Sequence, residues 1–148
     1  MSVDRAPKAK GPRAQVPLGG VSLPQKQPAL RTMPMPADLN QNGDVFGGWV
    51  MAQVDVAGAI PAMHRAGGRV ATVSVNSFQF KQAISVGDVV SLYAEVVHVG
   101  RTSITVNVEV YAERNYVNPV TVKVTEAQLT YVAIDGNGKK RSVPPENT

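Results

Sequence analysis

The chain has 148 residues, of which 43% are hydrophobic and 18% charged, and this length and composition are typical of a single globular domain. It contains no cysteine, which excludes disulfides, thiolate metal sites and a cysteine nucleophile, and its two histidines, His64 and His98, are too few for a multi-histidine metal site. Neither a membrane-spanning apolar run nor a signal-peptide pattern is present, so we predict a cytoplasmic protein.

The net charge of +4 comes from the N-terminal segment, residues 1–27, because the remainder of the chain is balanced. A basic nucleic-acid groove on the folded part is therefore not supported. The same segment is rich in Pro, Gly, Lys and Ala, lacks aromatic residues and has no apolar period. We predict a disordered basic tail over 1–27, with a polyanion-binding arm as the alternative, and a folded domain over 28–148.

A short extended piece is predicted near Ala29–Met35, followed by a loop over 36–43 that is rich in turn-forming residues. The next segment, Val45–Ile60, is apolar almost all round, which predicts a helix buried on most of its sides. Asp44 is placed to cap the start of this helix.

The end of the helix is interrupted by Pro61, because the residue before a proline disfavours the helical region. We expect the helix either to kink there or to end near Ile60, with a second short piece reaching Arg65. Gly67-Gly68 is expected to close it.

The remainder of the chain is predicted to form four long strands, because β-branched or aromatic residues recur at alternate positions. One strand, one long helix and four strands predict an α+β fold in which an antiparallel sheet wraps around the helix. Such a sheet leaves an exposed edge, so we expect a homo-oligomer. The predicted strands are Arg69–Phe80, Val89–Val99, Thr102–Glu113 and Val120–Ile134.

Asp55 is the only charged residue between Val45 and Met63. Burial of an isolated carboxylate in an apolar helix costs on the order of several kcal/mol of folding free energy unless the group is paired, solvated or protonated. Its neighbours three and four residues away cannot pair with it, so either a partner lies elsewhere in the fold or a pocket reaches it. Asp55 is therefore either a structural carboxylate or a catalytic one, acting as a general base on water or as a nucleophile on a carbonyl.

Gly47-Gly48 lies at the predicted helix start, where the first amides have no partner within the helix. Exposed amides at this position suit an oxyanion hole, and close packing between helix and sheet is the alternative explanation for the glycines. Gly47 and Asp55 are separated by about 12 Å along the helix axis. A long side chain, a water molecule or a second subunit would have to bridge that gap.

Three polar residues of the preceding loop, Asn40, Asn42 and Asp44, are explained by turn and cap chemistry, or one of them orients water or the substrate carbonyl. Ser74 and Ser103 lie in predicted strands without evident His and Asp partners. A serine-hydrolase triad is therefore not expected.

The segment Arg31–Asp55, with its Asn-Gly-Asp-Val-Phe-Gly-Gly-Trp block, closely resembles the YciA-like acyl-CoA thioesterases of the hotdog-fold superfamily. The resemblance covers about residues 29–147 and continues through the last predicted strand and four further motifs. These motifs are Gly68–Val73, Ile84–Val90, Val99–Ser103 and Arg141–Asn147.

The resemblance implies a hotdog fold, in which the sheet wraps around one central helix, and hydrolysis of acyl-CoA to free acid and CoA at a dimer interface. It implies a homodimer, commonly assembled as a trimer of dimers, and no metal or redox cofactor, CoA being part of the substrate. The family's catalytic carboxylate falls on Asp55, its partner asparagine on Asn40 of the opposing subunit, and its oxyanion amide in the Gly47-Gly48 region.

Binding of CoA requires cations for its phosphates, and Arg69, Lys81 and Arg101 are candidates, together with Asp44 as a further substrate-binding residue. The first alternative function is a non-catalytic acyl-CoA-binding hotdog module, which has no need of a buried carboxylate. The second is a hotdog dehydratase. A resemblance to that class would imply a histidine and an acidic residue at the helix, and no histidine lies between Val45 and Met63.

Overall fold

The computed structural model describes residues 21–146, which form five β-strands, one long α-helix and one short 3-10 helix. The predicted α+β architecture is confirmed in this part of the chain. The elements are β1 (Leu30–Thr32), the 3-10 helix (Pro36–Asp38), α1 (Gly47–Ala66), β2 (Val70–Phe80), β3 (Val89–Val99), β4 (Ser103–Arg114) and β5 (Val120–Ala133).

All five strands belong to one antiparallel sheet with the order β1-β3-β4-β5-β2. The three strands β3, β4 and β5 are neighbours both in the sequence and in the sheet. In contrast, β2 does not pair with β3, which follows it in the sequence, but lies at the opposite edge of the sheet from β1 and pairs with β5. Helix α1 contacts every strand, so the sheet surrounds it. β2 therefore lies at an edge, with a hydrogen-bonded neighbour on one side only.

The long strands form because apolar side chains alternate with polar ones, which places one face of the sheet against the helix. In β4, Ile104, Val106 and Val108 are fully buried, while the alternate residues Thr105 and Asn107 are less buried. The four long strands predicted from this alternation are confirmed, each to within one residue at either end. The first extended piece is shorter than predicted and is regular over three residues.

The start of α1 differs from the prediction, because the helix begins at Gly47 with Phe46 as its N-cap and no side-chain cap. The predicted cap by Asp44 is wrong. The backbone N–H of Asp44 donates to Asn40 Oδ1 at 3.1 Å, and its carbonyl accepts from the backbone N–H of Asn40 at 2.7 Å. These bonds hold Asp44 in the preceding turn, three residues before the helix.

The end of α1 also differs, because the helix runs through Pro61 to Ala66 without a break. The predicted end near Ile60 with a separate second piece is wrong. Ala57, Ala62 and Ala66 are fully buried against the sheet on both sides of the proline, so packing compensates for the missing N–H. Gly67 ends the helix in the left-handed conformation, at φ 68°, as predicted.

One side of α1 is open to solvent, so the prediction of a helix buried on most sides is wrong for a single chain. Val50 and Val54 face the sheet and are buried, whereas Met51, Val56 and Met63 are exposed. Exposed apolar side chains on a central helix mark a surface for another protein chain.

Part of the predicted tail contacts the sheet. The backbone N–H of Val21 donates to the carbonyl of Thr121 at 3.2 Å, and the Lys26 ammonium lies 3.7 Å from the Glu95 carboxylate. Two residues that the prediction assigned to the tail, Val21 and Lys26, are therefore in contact with strands of the sheet. Residues 1–20 of the predicted tail lie outside the described residues. No helix within residues 21–146 has the length and apolar character needed to cross a membrane.

Candidate active site

The carboxylate of Asp55 is half-buried on α1 and has partners on two strands. Thr72 of β2 donates its hydroxyl to Asp55 Oδ1 at 2.7 Å, and the Tyr131 hydroxyl of β5 lies 3.2 Å from the same oxygen. Thr72 and Tyr131 are paired in the β2–β5 ladder, so their side chains share the face towards the helix. Oδ2 of Asp55 accepts no hydrogen bond from any residue within 21–146.

The Tyr131 side chain is fully buried, and its hydroxyl shares its one proton between the backbone carbonyl of Asp55, at 2.8 Å, and Oδ1 of the same residue. Burial raises the pKa of Tyr131 well above its usual value, and the neighbouring charge of Asp55 raises it further. The phenol therefore stays protonated and remains a hydrogen-bond donor at neutral pH.

The helix start presents two backbone amides, those of Gly47 and Gly48, that have no acceptor in the described part of the chain. A methyl group at Gly47 would lie 3.4 Å from the Phe80 ring, an ordinary packing contact. A methyl group at Gly48 would meet no heavy atom within 4 Å. Close packing within the chain therefore does not explain Gly48, and both amides can donate to a negatively charged oxygen.

A cleft of about 370 Å³ lies at this end of α1 and gathers several of the predicted site residues. Asn40 and Asp44 approach from the loop, Gly47 from the helix start, and Lys81 from the end of β2. Apolar and neutral residues complete the lining: Val45, Val50, Phe80, Gln82, Ala83 and Ile84.

Asn40 organises the loop beside this cleft. Its Oδ1 accepts hydrogen bonds from the backbone N–H groups of Asn42 at 2.8 Å and Asp44 at 3.1 Å, which is the predicted turn chemistry. The side-chain Nδ2 group makes no hydrogen bond with the chain between residues 21 and 146, and it is free to donate to a ligand or a second subunit.

Other predicted residues lie apart from the cleft. Asp55 is not among its lining residues, in agreement with the axial separation expected along the helix. Arg69 follows the opposite end of α1 and donates to the carbonyl of Gly136 at 3.1 Å. Arg101, in the β3–β4 turn, accepts from Val143 through its backbone carbonyl. Lys81 is thus the one predicted phosphate-binding cation that lines this cleft in the described chain.

The sequence did not single out Thr72 or Tyr131 as site residues. A signal was present in Gly58, a glycine in the interior of an apolar helix, because such a glycine often marks a close approach of another group. A methyl group at Gly58 would lie 2.5 Å from the Tyr131 hydroxyl oxygen.

Known proteins with similar sequences and structures include thioesterases. A model of the thioesterase superfamily matches residues 42–119. The acyl-CoA thioester hydrolase YciA of Escherichia coli (strain K12) is 47% identical over 127 residues, which span 84% of this chain and 96% of that protein.

Solved structures agree with this match. The hexameric thioesterase y2039 of Yersinia pestis superposes with a TM-score of 0.77 at 48% identity, over 84% of this chain and 100% of that chain. Cj0915 of Campylobacter jejuni, a hexameric hotdog fold thioesterase, gives a TM-score of 0.77 at 41% identity, over 80% and 91% of the two chains. This chain therefore has the hotdog fold and belongs to the thioesterase superfamily.

Proposed function

We propose that the protein is an acyl-CoA thioesterase, which hydrolyses acyl-CoA to a free carboxylic acid and CoA with Asp55 as its catalytic carboxylate. The observation that carries the proposal is the Asp55 side chain, the only carboxylate on α1, with Oδ1 in contact with two hydroxyls and Oδ2 without a hydrogen-bond donor among residues 21–146. The acyl-CoA thioester hydrolases with 47% and 50% identity to this chain support the substrate class.

The proposed chemistry follows from these contacts. The hydroxyls of Thr72 and Tyr131 lie against Oδ1 of Asp55, so Oδ2 is the oxygen of this carboxylate that is left for the reaction. Oδ2 of Asp55 can remove a proton from water as that water attacks the thioester carbonyl. Alternatively, it can attack the carbonyl itself, which expels the CoA thiolate and forms an acyl anhydride on Asp55 that water then hydrolyses to the free acid. The tetrahedral oxyanion accepts hydrogen bonds from the Gly47-Gly48 amides of the partner subunit, because those of the same helix lie about 12 Å from Asp55. Collapse of the intermediate breaks the C–S bond and releases the CoA thiolate, which takes up the proton.

We propose a homodimer, assembled as a trimer of dimers, in which the β2 edge is covered by a second subunit. Among the described strands, β2 has no neighbour on its outer side, and its residues Val73, Val75 and Phe80 are 55%, 41% and 49% exposed. Such an apolar edge exposes unpaired backbone groups unless another chain covers it. The hexameric thioesterases of similar fold support this assembly.

Asn40 acts on the Asp55 of the partner subunit in this proposal. Within one chain Asn40 lines the cleft at the start of α1, whereas Asp55 lies about 12 Å further along the helix. A second subunit that covers the β2 edge lies beside Thr72 and hence beside Asp55. The Nδ2 group of Asn40, which has no acceptor among residues 21–146, is suited to orient water or the thioester carbonyl there.

We propose that Lys81 binds a phosphate of CoA, because it shares the cleft with Asn40 and Gly47. Asp44 offers a carboxylate in the same cleft to amide and hydroxyl donors of CoA. Arg69 and Arg101 remain candidates for binding the phosphates of a CoA molecule held at the site of a neighbouring subunit. The reaction as proposed consumes only water and thioester, so it needs no metal or redox cofactor, and the cytoplasm remains our prediction for its compartment.

Replacing Gly48 by alanine is expected to lower kcat at least about tenfold, because the added methyl group obstructs access to the oxyanion amides. The melting temperature should stay the same or rise, since alanine fits without a clash and favours the helix by up to about 1 kcal/mol. Thiol release and thermal unfolding measure the two effects. Gly136→Ala, which also meets no heavy atom within 4 Å, is the matched control. Full activity in Gly48→Ala would contradict the expectation that a side chain at this position obstructs the oxyanion amides.

The proposed function is tested by measuring thiol release from acyl-CoA substrates across chain lengths, with CoA binding followed in parallel by calorimetry. We expect catalytic release of free CoA with at least one chain length. Tight binding of acyl-CoA without thiol release would instead support the non-catalytic binding module.

A further inference from the structure

We propose that Tyr131 is a positioning residue for the catalytic carboxylate, and that it reaches Asp55 through a space that exists only because residue 58 is glycine. The inference rests on the proposed role of Asp55. It assigns to the Tyr131–Gly58 pair the task of fixing the carboxylate orientation.

The first step concerns the two acceptors of the Tyr131 hydroxyl. It lies 2.8 Å from the backbone carbonyl oxygen of Asp55 and 3.2 Å from Oδ1 of the same residue. One phenol therefore connects the carboxylate to its own backbone. With Thr72 donating to the same Oδ1, the carboxylate cannot rotate to exchange its two oxygens without losing both hydroxyl contacts. Oδ2 is thereby held as the oxygen that faces the substrate.

The second step concerns Gly58. Its backbone does not adopt a positive φ, so conformation alone does not require glycine there. Glycine is also a poor helix former in a helix interior. A Cβ atom at this position would lie 2.5 Å from the Tyr131 hydroxyl oxygen and 3.2 Å from Cζ. The hydroxyl therefore occupies the space that a side chain at residue 58 would fill, and the glycine allows the tyrosine to reach Asp55.

The third step separates positioning from simple packing. Tyr131 is fully buried, and phenylalanine would retain its ring contacts with the core. Among residues 21–146, the hydroxyl adds only the contacts to Asp55. A purely structural tyrosine would affect the melting temperature on removal of the hydroxyl, while kcat would remain unchanged.

The first experiment compares Tyr131→Phe with Tyr93→Phe in steady-state thiol release and thermal unfolding. Tyr93 is a suitable control because it is also buried and its hydroxyl contacts Arg31 rather than the site. We expect Tyr131→Phe to lower kcat about tenfold, the rate equivalent of one lost hydrogen bond, with KM unchanged. Tyr93→Phe should stay within about twofold of wild type.

The second experiment is a double-mutant cycle with Gly58→Ala. Alone, Gly58→Ala should lower kcat at least as much as Tyr131→Phe, because its methyl group displaces the hydroxyl. In the Tyr131→Phe background the same alanine should add less than about a twofold loss, because no hydroxyl remains to be displaced. The double variant also decides the matter if Gly58→Ala alone fails to fold, since it removes the 2.5 Å contact with the hydroxyl and leaves the alanine only a tight contact with the ring.

If the wild-type protein is active and Tyr131→Phe has the same kcat, the inference is overturned and the proposed function stays intact. Equal kcat losses in Tyr131→Phe and Tyr93→Phe, or additive losses in the cycle, overturn it as well. A wild-type protein that releases no thiol from any acyl-CoA overturns the proposed function and this inference together.

Discussion

Asp55→Asn is expected to lower the rate of thioester hydrolysis at least about 100-fold while leaving the fold intact. The free Oδ2 of Asp55 is the atom proposed to take the proton from water or to attack the carbonyl, and an amide can do neither. Asparagine is nearly isosteric, and its amide oxygen can still accept from Thr72 and Tyr131. Thiol release and thermal unfolding on the same preparation measure the two expectations.

Glu95→Gln is the matched control, because it also removes one carboxylate charge. Glu95 is largely exposed on β3, and the Lys26 ammonium lies 3.7 Å from its carboxylate. Its substitution should leave turnover within about twofold, because exposed ion pairs contribute little. Undiminished turnover in Asp55→Asn would contradict the assignment of the catalytic carboxylate.

Val75→Lys is expected to separate the subunits and to abolish most of the activity. Val75 pairs with Leu129 on one side of β2 and presents the other side of the strand to solvent. A lysine there would place a charge in the proposed subunit interface, and the symmetry of a dimer would place two charges close together. Because each site is proposed to need two subunits, dissociation should lower turnover about 100-fold or more.

Val86→Lys is the control for this substitution, since Val86 is 43% exposed, nearly the same as Val75, but lies in the β2–β3 loop. Light scattering after size-exclusion chromatography reports the mass, and thiol release reports the activity. An oligomer of unchanged mass and activity in Val75→Lys would exclude the β2 edge as the subunit contact.

The sequence predicted the strands well because their signal is local. Alternation of apolar and polar residues, as in Ser103–Arg114, needs no knowledge of the neighbouring strands. The helix ends were predicted less well, because tertiary contacts determine them. Asp44 is held by Asn40 instead of capping the helix, and Pro61 is accommodated because the alanines around it are buried against the sheet.

Residues of the candidate site were predictable where their type was unusual for their position in the chain. Asp55 stands alone in an apolar helix, and Gly47-Gly48 lies at a helix start. Thr72 and Tyr131 are ordinary strand residues in the sequence. They become neighbours of Asp55 only because β2 crosses the sheet to pair with β5, a long-range pairing that a local pattern does not report.

The central claim is that acyl-CoA is hydrolysed at sites that join Asp55 of one subunit to Asn40 of another. Co-expression of Asp55→Asn and Asn40→Ala subunits with different tags tests it most directly. In a mixed dimer one site carries both substitutions and the other carries neither. Random mixing of equal amounts makes half of the dimers mixed, so about one quarter of the wild-type sites should reappear.

The measurement is thiol release by the mixture compared with each variant alone, after tandem purification has shown that both tags are present in one particle. Shared sites predict activity clearly above that of either variant, close to the expected quarter. Mixed particles with no activity beyond that of the single variants would contradict this geometry and place Asn40 and Asp55 in the site of one chain.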